Sequence, residues 1–236
     1  MAKTSGLNVR CYVAGYDISG DANSLDGVGY TQNLMETTAI NSEATSRITG
    51  LVDGVLGVNV FFEASSEHAA LLSSNKLPTG DRNVLVPMGS AVGDAGIGLV
   101  SKQANYDVSQ GGPSAPITAK ASFNANGYAP EFGVMLTAHD DTHSSASNGT
   151  SVDNSASSSS GGAGYLQAFS LSSGTPVVKI QHSSDNSSFS DLITFTASTA
   201  ISSEYLTVSG TVNRYIRVIS TGTFSNLNFA CLFYRG

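Results

Sequence analysis

The 236-residue chain carries a formal net charge of −7, so it has no diffuse positive field of the kind that holds nucleic acid or an anionic membrane. Only 12% of its residues are charged and it has no tryptophan, while Gly, Ser, Thr, Asn and Val are abundant, a balance that favours strands and tight turns over helices. No window approaches the ~18 apolar residues of a spanning helix, and MAKTSGLNVR lacks the apolar core of a signal peptide; a soluble product of the cytosol is expected, with no membrane insertion.

In chain order, NVRCYVAGYDISG (8–20) alternates apolar and polar side chains and reads as a first strand. Residues 21–50 keep no period and are mostly polar, so a long excursion with at most a short strand or turn is expected. LVDGVLGVNVFFE (51–63) is nearly continuous in Val, Leu and Phe, as in a strand covered on both faces. SSEHAALLSSNK (65–76) predicts an α-helix: Ser65 or Ser66 as N-cap, Glu67 and His68 in the first turn, Ala69, Leu71 and Leu72 as its apolar stripe, and Pro78 and Gly80 as its stop. Three strands follow over 82–90, 95–108 and 115–128. In the last, Ile117, Ala119, Ala121 and Phe123 share one face, and Thr118, Lys120, Ser122 and Asn124 the other.

Residues 138–164, with GTSVDNSASSSSGGAG at their end, have the composition of a flexible linker. Beyond them YLQAFSLSS, PVVKIQHSS, DLITFTAS, YLTVSG, RYIRVISTG and NLNFACLFYR predict six strands of a small antiparallel sandwich, with SSDNSSFSD as a hairpin turn. The expected organisation is therefore a β domain with one flanking helix over 1–137, a linker over 138–164 and an all-β domain over 165–236.

Chemistry is sparse in this pattern. His139, Asp140, Asp141 and His143 are the one cluster with metal-ligand spacing, but no helical period holds their angles, and they read as part of the solvated linker. His68 and His182 are isolated; GDAGIG misses a dinucleotide fingerprint; no serine sits in a nucleophile elbow. Asp17, Asp21, Asp26 and Asp53 could be paired for glycoside cleavage, yet they fall in turns where aspartate bonds its own backbone. Asn148 and Asn186 head glycosylation sequons that mean little without a signal peptide. Cys11 and Cys231 lie in apolar runs and read as buried thiols, although a bridge is conceivable. No catalytic, cofactor-binding or metal site is expected, and no enzyme.

VAGYDISGDANSLDG, the polar excursion, GLVDGVLGVNVFFE, EHAALL and the strands up to MLT, in that order, resemble the tail tube proteins of long-tailed, siphovirus-like bacteriophages over residues 8 to about 137. The resemblance implies a β-sandwich or barrel with one helix on its flank, six copies to a ring, and rings stacked into a tube whose inner barrel is shared edge to edge. It implies a virion component assembled in the host cytoplasm, meeting tape-measure, terminator and distal tail proteins and passing DNA without specific binding. The stretch from about 26 to 50 matches the family's inter-subunit loop, with Leu34, Met35, Ile40, Ile48 and Leu51 as its apolar contacts. Residues 1–137 hold seven Lys or Arg against twelve Asp or Glu, a sign that suits a wall repelling phosphate. Residues 165–236 look like the discoidin-like or carbohydrate-binding modules that phages append outside structural proteins. Phe189, Tyr205, Tyr215 and Tyr234 are its candidate contacts to host-surface glycan, and can equally be core. The alternative reading is a non-enzymatic glycan-binding adhesin or decoration protein.

Overall fold

The computed structural model describes residue 6 and residues 8–63, 70–139 and 141–236. Its elements are β1 (Tyr12–Val13), β2 (Tyr16–Asp17), β3 (Ala22–Glu36), β4 (Arg47–Phe61), β5 (Arg82–Pro87), β6 (Ala95–Gln110), β7 (Ile117–Ala125), β8 (Glu131–Met135), β9 (Thr142–His143), β10 (Ser147–Asn148) and β11 (Val152–Asp153). They continue with β12 (Gly162–Gly174), β13 (Val177–Ser183), β14 (Ser190–Thr194), β15 (Ser202–Val208), β16 (Tyr215–Thr221) and β17 (Phe224–Arg235). The strands pair antiparallel in a large sheet, ordered β15-β12-β17-β8-β6-β5-β1-β2 with β7, β4 and β3 branching from β6, and a small one, ordered β10-β16-β13-β14 with β11 beside β16.

Strand β6 makes the branch because it is long enough to serve two neighbourhoods. Its first residues pair with β5 on one side and β8 on the other, and from Ser101 onward it pairs with β7. The branch β3-β4-β7 therefore folds over β1 and β5, and the layers bury Leu56, Val58, Val60, Ala119, Ala121 and Phe123 against Val13, Ile18, Val84 and Val86. Period 2 is visible here: Ala119, Ala121 and Phe123 are buried as expected, while Ile117, at the strand end, is exposed. In β4, Leu56, Val58 and Val60 face this core, but Val55 and Phe61 on the other face are each 43% exposed, so the expected cover on both faces is absent within the subunit.

The small sheet packs on β12 and β17 around Val178, Ile180, Ile193, Ile216 and Val218, which meet Leu166, Ala168, Phe229, Cys231 and Phe233. The alternate residues of the same two strands, Ala163, Tyr165, Ala230 and Leu232, enter another core with Tyr12, Leu85, Val100 and Met135. Burial on both faces explains why YLQAF and FACLF read as unbroken apolar runs. The second core exists because the large sheet curls until β12 and β15 meet the β1–β2 turn and β5. Fully buried Gln167 fastens the curl: its Oε1 accepts from the Gly15 amide at 2.6 Å and its Nε2 donates to the Asn83 carbonyl at 2.9 Å. Ala14 and Gly15 have φ of 52° and 88°, the left-handed pair of a two-residue hairpin. A Cβ on Gly15 would lie 2.7 Å from Ile201 Cγ2 and 2.8 Å from the Ser202 carbonyl, so glycine alone fits where the ends of the sheet meet.

The fold is all-β, which corrects the expected flanking helix. Among the described residues of 65–76, helical backbone is confined to Ala70 and Leu71, which plug the core beneath β4. Ser73 and Lys76 then bridge each other across a turn with Ser74 and Asn75 at φ of 51° and 61°. Serine and asparagine favour such turns because their side chains compete for local backbone bonds, and here that preference outweighs a short apolar stripe. Ser65, Ser66, Glu67, His68 and Ala69 lie outside the described residues. The excursion over 21–50 is also more regular than its composition implies: it holds all of β3 and the start of β4. Within 138–164, β9 pairs with β17 and β10 and β11 with β16, so this serine-rich stretch is bonded along sheet edges.

Candidate assembly interface

Pairing of β4 with β7 begins at Val55↔Asn124, whereas pairing with β3 runs on to Glu36↔Arg47. From Tyr30↔Gly54 outward, β3 and β4 are thus a two-stranded arm that leaves the body, roughly 20 Å long at the rise of an antiparallel strand. Its tip closes through Thr37 N–H to the Ser46 carbonyl at 2.9 Å and Ser42 N–H to Ala39 at 3.0 Å. All five residues expected at an inter-subunit contact lie on it. Leu34, Met35, Ile48 and Leu51 are 56%, 45%, 52% and 89% exposed, and Ile40 at the tip is fully so, which leaves the arm without apolar cover in the subunit. Leu34 and Met35 are consecutive in β3 and so point to opposite faces; Met35 sits opposite Ile48. The arm therefore carries exposed apolar side chains on both sides. At its root Tyr30 stacks on Phe132 at 5.5 Å, and its hydroxyl donates to the Pro130 carbonyl, tying the arm to β8. An apolar recess of about 430 Å³, lined by Val9, Leu25, Val28, Met88, Ile97 and Phe132, opens beside this root.

The outer face of β3, β4 and β7 carries exposed Val55 and Phe61 and, between them, a polar patch. Lys120 Nζ meets Asp26 Oδ2 at 2.7 Å, and Asn59 Nδ2 donates to Asp26 Oδ1 at 2.9 Å and to Ser24 Oγ at 3.0 Å. The Lys120 hydrogen bond is the main cause holding the Asp26 carboxyl below its ordinary range. Asp17 is occupied by Arg10 at 3.1 Å, and Asp53 Oδ1 accepts from the Gly54 amide at 2.7 Å. Asp21 is pushed up by burial and by the nearby charge of Glu63. Asp17, Asp26 and Asp53 are thus engaged separately, by Arg10, by Lys120 with Asn59, and by the Gly54 amide, while Asp21 stands near Glu63.

The four aromatic residues expected at a glycan surface do not share one. Tyr205 and Tyr234 pack on the inner core of the curled sheet. Phe189 lies under the Arg217 guanidinium at 3.9 Å, and Tyr215 under Arg214 at 4.9 Å, in the small-sheet layer on the other side. Arg214 is itself held by Asp153 through two bonds of 2.7 and 2.6 Å.

Of the histidine cluster, Asp140 lies outside the described residues. His143 is buried, its Nδ1 2.5 Å from Ser220 Oγ and its ring edge-on to Phe229, and burial lowers its pKa. The His139 amide donates to the Ser90 carbonyl at 3.0 Å. Among the described residues no group of three or more His, Cys, Asp and Glu could hold a metal ion. His182 Nδ1 accepts from the Asn213 amide at 3.1 Å. Cys11 and Cys231 are free thiols in separate cores. No helix among the described residues is long and apolar enough to cross a membrane.

No protein-family profile matches the chain, and no curated protein sequence does. Among solved structures it is similar to the SPP1 Dit protein, described as a paradigm of hub adsorption apparatus in phages infecting Gram-positive hosts, at 10% identity and a TM-score of 0.37, over 96% of this chain and 99% of that one. It is also similar to a chain of the phage p2 baseplate in its activated conformation with Sr, at 8% identity and a TM-score of 0.39, over 97% and 98% of the two chains. A chain of the activated phage P2 baseplate with Ca matches at 9% identity and a TM-score of 0.38, over 98% and 99%. These similar structures are phage hub and baseplate components, and at such scores the likeness is one of loose architecture.

Proposed function

We propose that the chain is a self-assembling structural subunit of a phage tail, with no enzymatic role. The observation that carries this reading is the arm: a two-stranded hairpin is marginal in water by itself, and this one presents uncovered apolar side chains on both faces. Such a hairpin is stabilised when other surfaces close on both of its sides, and copies of the same chain supply them at fixed stoichiometry. The phage-tail setting is implied by the resemblance to tail tube proteins. In its finer form the proposal is a hexameric ring with the outer face of β3, β4 and β7 toward a DNA conduit and the strands from 165 onward displayed outside, bound to neighbouring tail proteins.

A concentration series followed by light scattering and negative-stain imaging tests this. Rings are the expected product; rings that stack into tubes on concentration mark a tail tube subunit, and rings that remain single mark a hub at the tail tip. A chain that stays monomeric under every condition refutes the proposal.

A further inference from the structure

Three of the chain's nine tyrosines, Tyr30, Tyr165 and Tyr205, lie near a single carboxyl group, that of Glu131 at the start of β8, and Tyr128 and Tyr234 adjoin this group through Tyr205. Tyr165 and Tyr205 sit opposite each other on β12 and β15, with ring centroids 4.7 Å apart, and donate to Glu131 Oε2 at 2.8 Å and Oε1 at 3.4 Å. Tyr128 packs on Tyr205 at 4.7 Å. Across the β6–β8 ladder from Glu131 stands Gly98, where any Cβ would enter the Tyr165 ring. The arrangement is built, and it is not sealed: Tyr128 and Tyr30 at its margin are 46% and 49% exposed.

Among the described residues no Lys or Arg forms an ion pair with Glu131, and burial is the main cause raising its pKa. A half-buried carboxylate held only by neutral phenols is costly to keep. Two of its roughly four acceptor positions are used, and the ring faces beside it attract positive charge. A planar guanidinium satisfies both at once.

The chain itself carries a matching group. Of its exposed basic side chains, Lys102, Lys120 and Arg214 are ion-paired within the subunit, to Asp81, Asp26 and Asp153. Arg47 and Lys76 are exposed and form no ion pair among the described residues, and Arg47 sits at the far end of the arm, opposite Glu36 in the register and beside Ile48. It cannot serve its own Glu131. The arm root is tied to Pro130, next to Glu131, and Arg47 is roughly 20 Å further out, well beyond the reach of one side chain.

We propose that the Glu131 tyrosine cluster is the receptor for the arm of a second copy of this chain, which brings its Arg47 guanidinium over the Tyr128 and Tyr205 rings onto the carboxylate. This rests on the reading of the arm as the assembly element and names its docking point. The contact joins two different patches, arm to receptor, so each subunit gives one and receives one, an arrangement that makes a ring where the rotation between copies closes and a filament where it does not.

The test is sedimentation velocity on the full-length chain over a concentration series, with thermal melts to verify folding. Glu131→Gln and Arg47→Glu are each expected to weaken association about tenfold or more, as close interfacial charge pairs do. The reversed pair Arg47→Glu with Glu131→Arg should regain most of that loss. If Glu131→Arg fails to fold, Glu131→Gln, which keeps an acceptor for the tyrosines, carries the test alone. Folded Glu131→Gln that assembles like the parent chain overturns the proposal, as does a cycle in which the two losses simply add. Loss of assembly in Ile48→Ser/Leu51→Ser with full assembly in Glu131→Gln would leave the arm reading standing and remove this receptor. A parent chain that never associates removes both.

Discussion

Replacing Leu51 and Ile48 by serine separates folding from assembly, because both side chains face solvent in the subunit. Leu51 is 89% exposed and Ile48 52%, so the subunit loses little apolar burial when they go; its stability should change by less than about 0.5 kcal/mol per site. Docking is another matter. Full burial of an aliphatic side chain stabilises by about 1.5–3 kcal/mol, and with Ile48 already half covered the pair should contribute about 3 kcal/mol to each docked arm, which is on the order of 100-fold in the association constant. Sedimentation velocity reads the association and a thermal melt the fold. An unchanged melt with assembly shifted to roughly hundredfold higher concentration is the expected result. Unchanged assembly refutes the argument, and so does a lower melt at a concentration where the parent chain is monomeric, since that would mean the arm is packed within its own subunit.

Phe123 is fully buried where β7 meets β4 and β5, so Phe123→Ala should cost about 3–5 kcal/mol in urea unfolding. The Arg214 hydrogen bonds, then the Ser155 amide, hold the Asp153 carboxyl at about 2; Arg214→Ala should return its NMR titration midpoint toward the ordinary range. Because the folded pKa is depressed, the stability Asp153 contributes is present above the unfolded carboxylate pKa and is lost as pH falls toward 2. Glu131 has the opposite sign: its folded pKa is raised, so ionising it subtracts stability as pH rises above the ordinary carboxylate range, and Glu131→Gln should melt no lower than the parent at neutral pH. Burial pushes the Cys11 thiol up to about 12 and raises that of Cys231 as well, so a thiol reagent should modify neither in the native subunit and both after denaturation.

How far such features are legible in the sequence depends on whether their cause is local. The alternation over 117–125 and the six strands after 164 are readable because each face of a strand meets one environment along its length. β3 hides for the contrary reason. Its sequence is polar on both faces over much of its length, and register shifts against β4 near Ala22, Leu25 and Gln32 break the period that would reveal it. The stretch 70–76 misleads because a few apolar residues are as consistent with a plug under a strand as with a helix face, and Ser73, Ser74 and Asn75 decide for the turn.

The apolar residues in that polar stretch were the informative part. Leu34, Met35, Ile40, Ile48 and Leu51 stand out in the sequence because a solvated loop has no use for them, and the fold leaves them uncovered. The receptor could not be foreseen in the same way. Tyr30, Tyr128, Glu131, Tyr165, Tyr205 and Tyr234 come from five well-separated stretches of the chain, and they converge where the sheet curls shut through Gln167 and Gly15. Removing the acceptor of that closure should therefore disturb the cluster from a distance. Gln167→Leu leaves the Gly15 amide unsatisfied in the core, a loss of about 1–3 kcal/mol, while the Asn83 carbonyl keeps its bond from the Ala14 amide. It should also move the Tyr165 and Tyr205 ring resonances, although neither tyrosine is touched. Spectra in which those two rings are unmoved while stability falls would mean that the tyrosine cluster holds its shape without the closure.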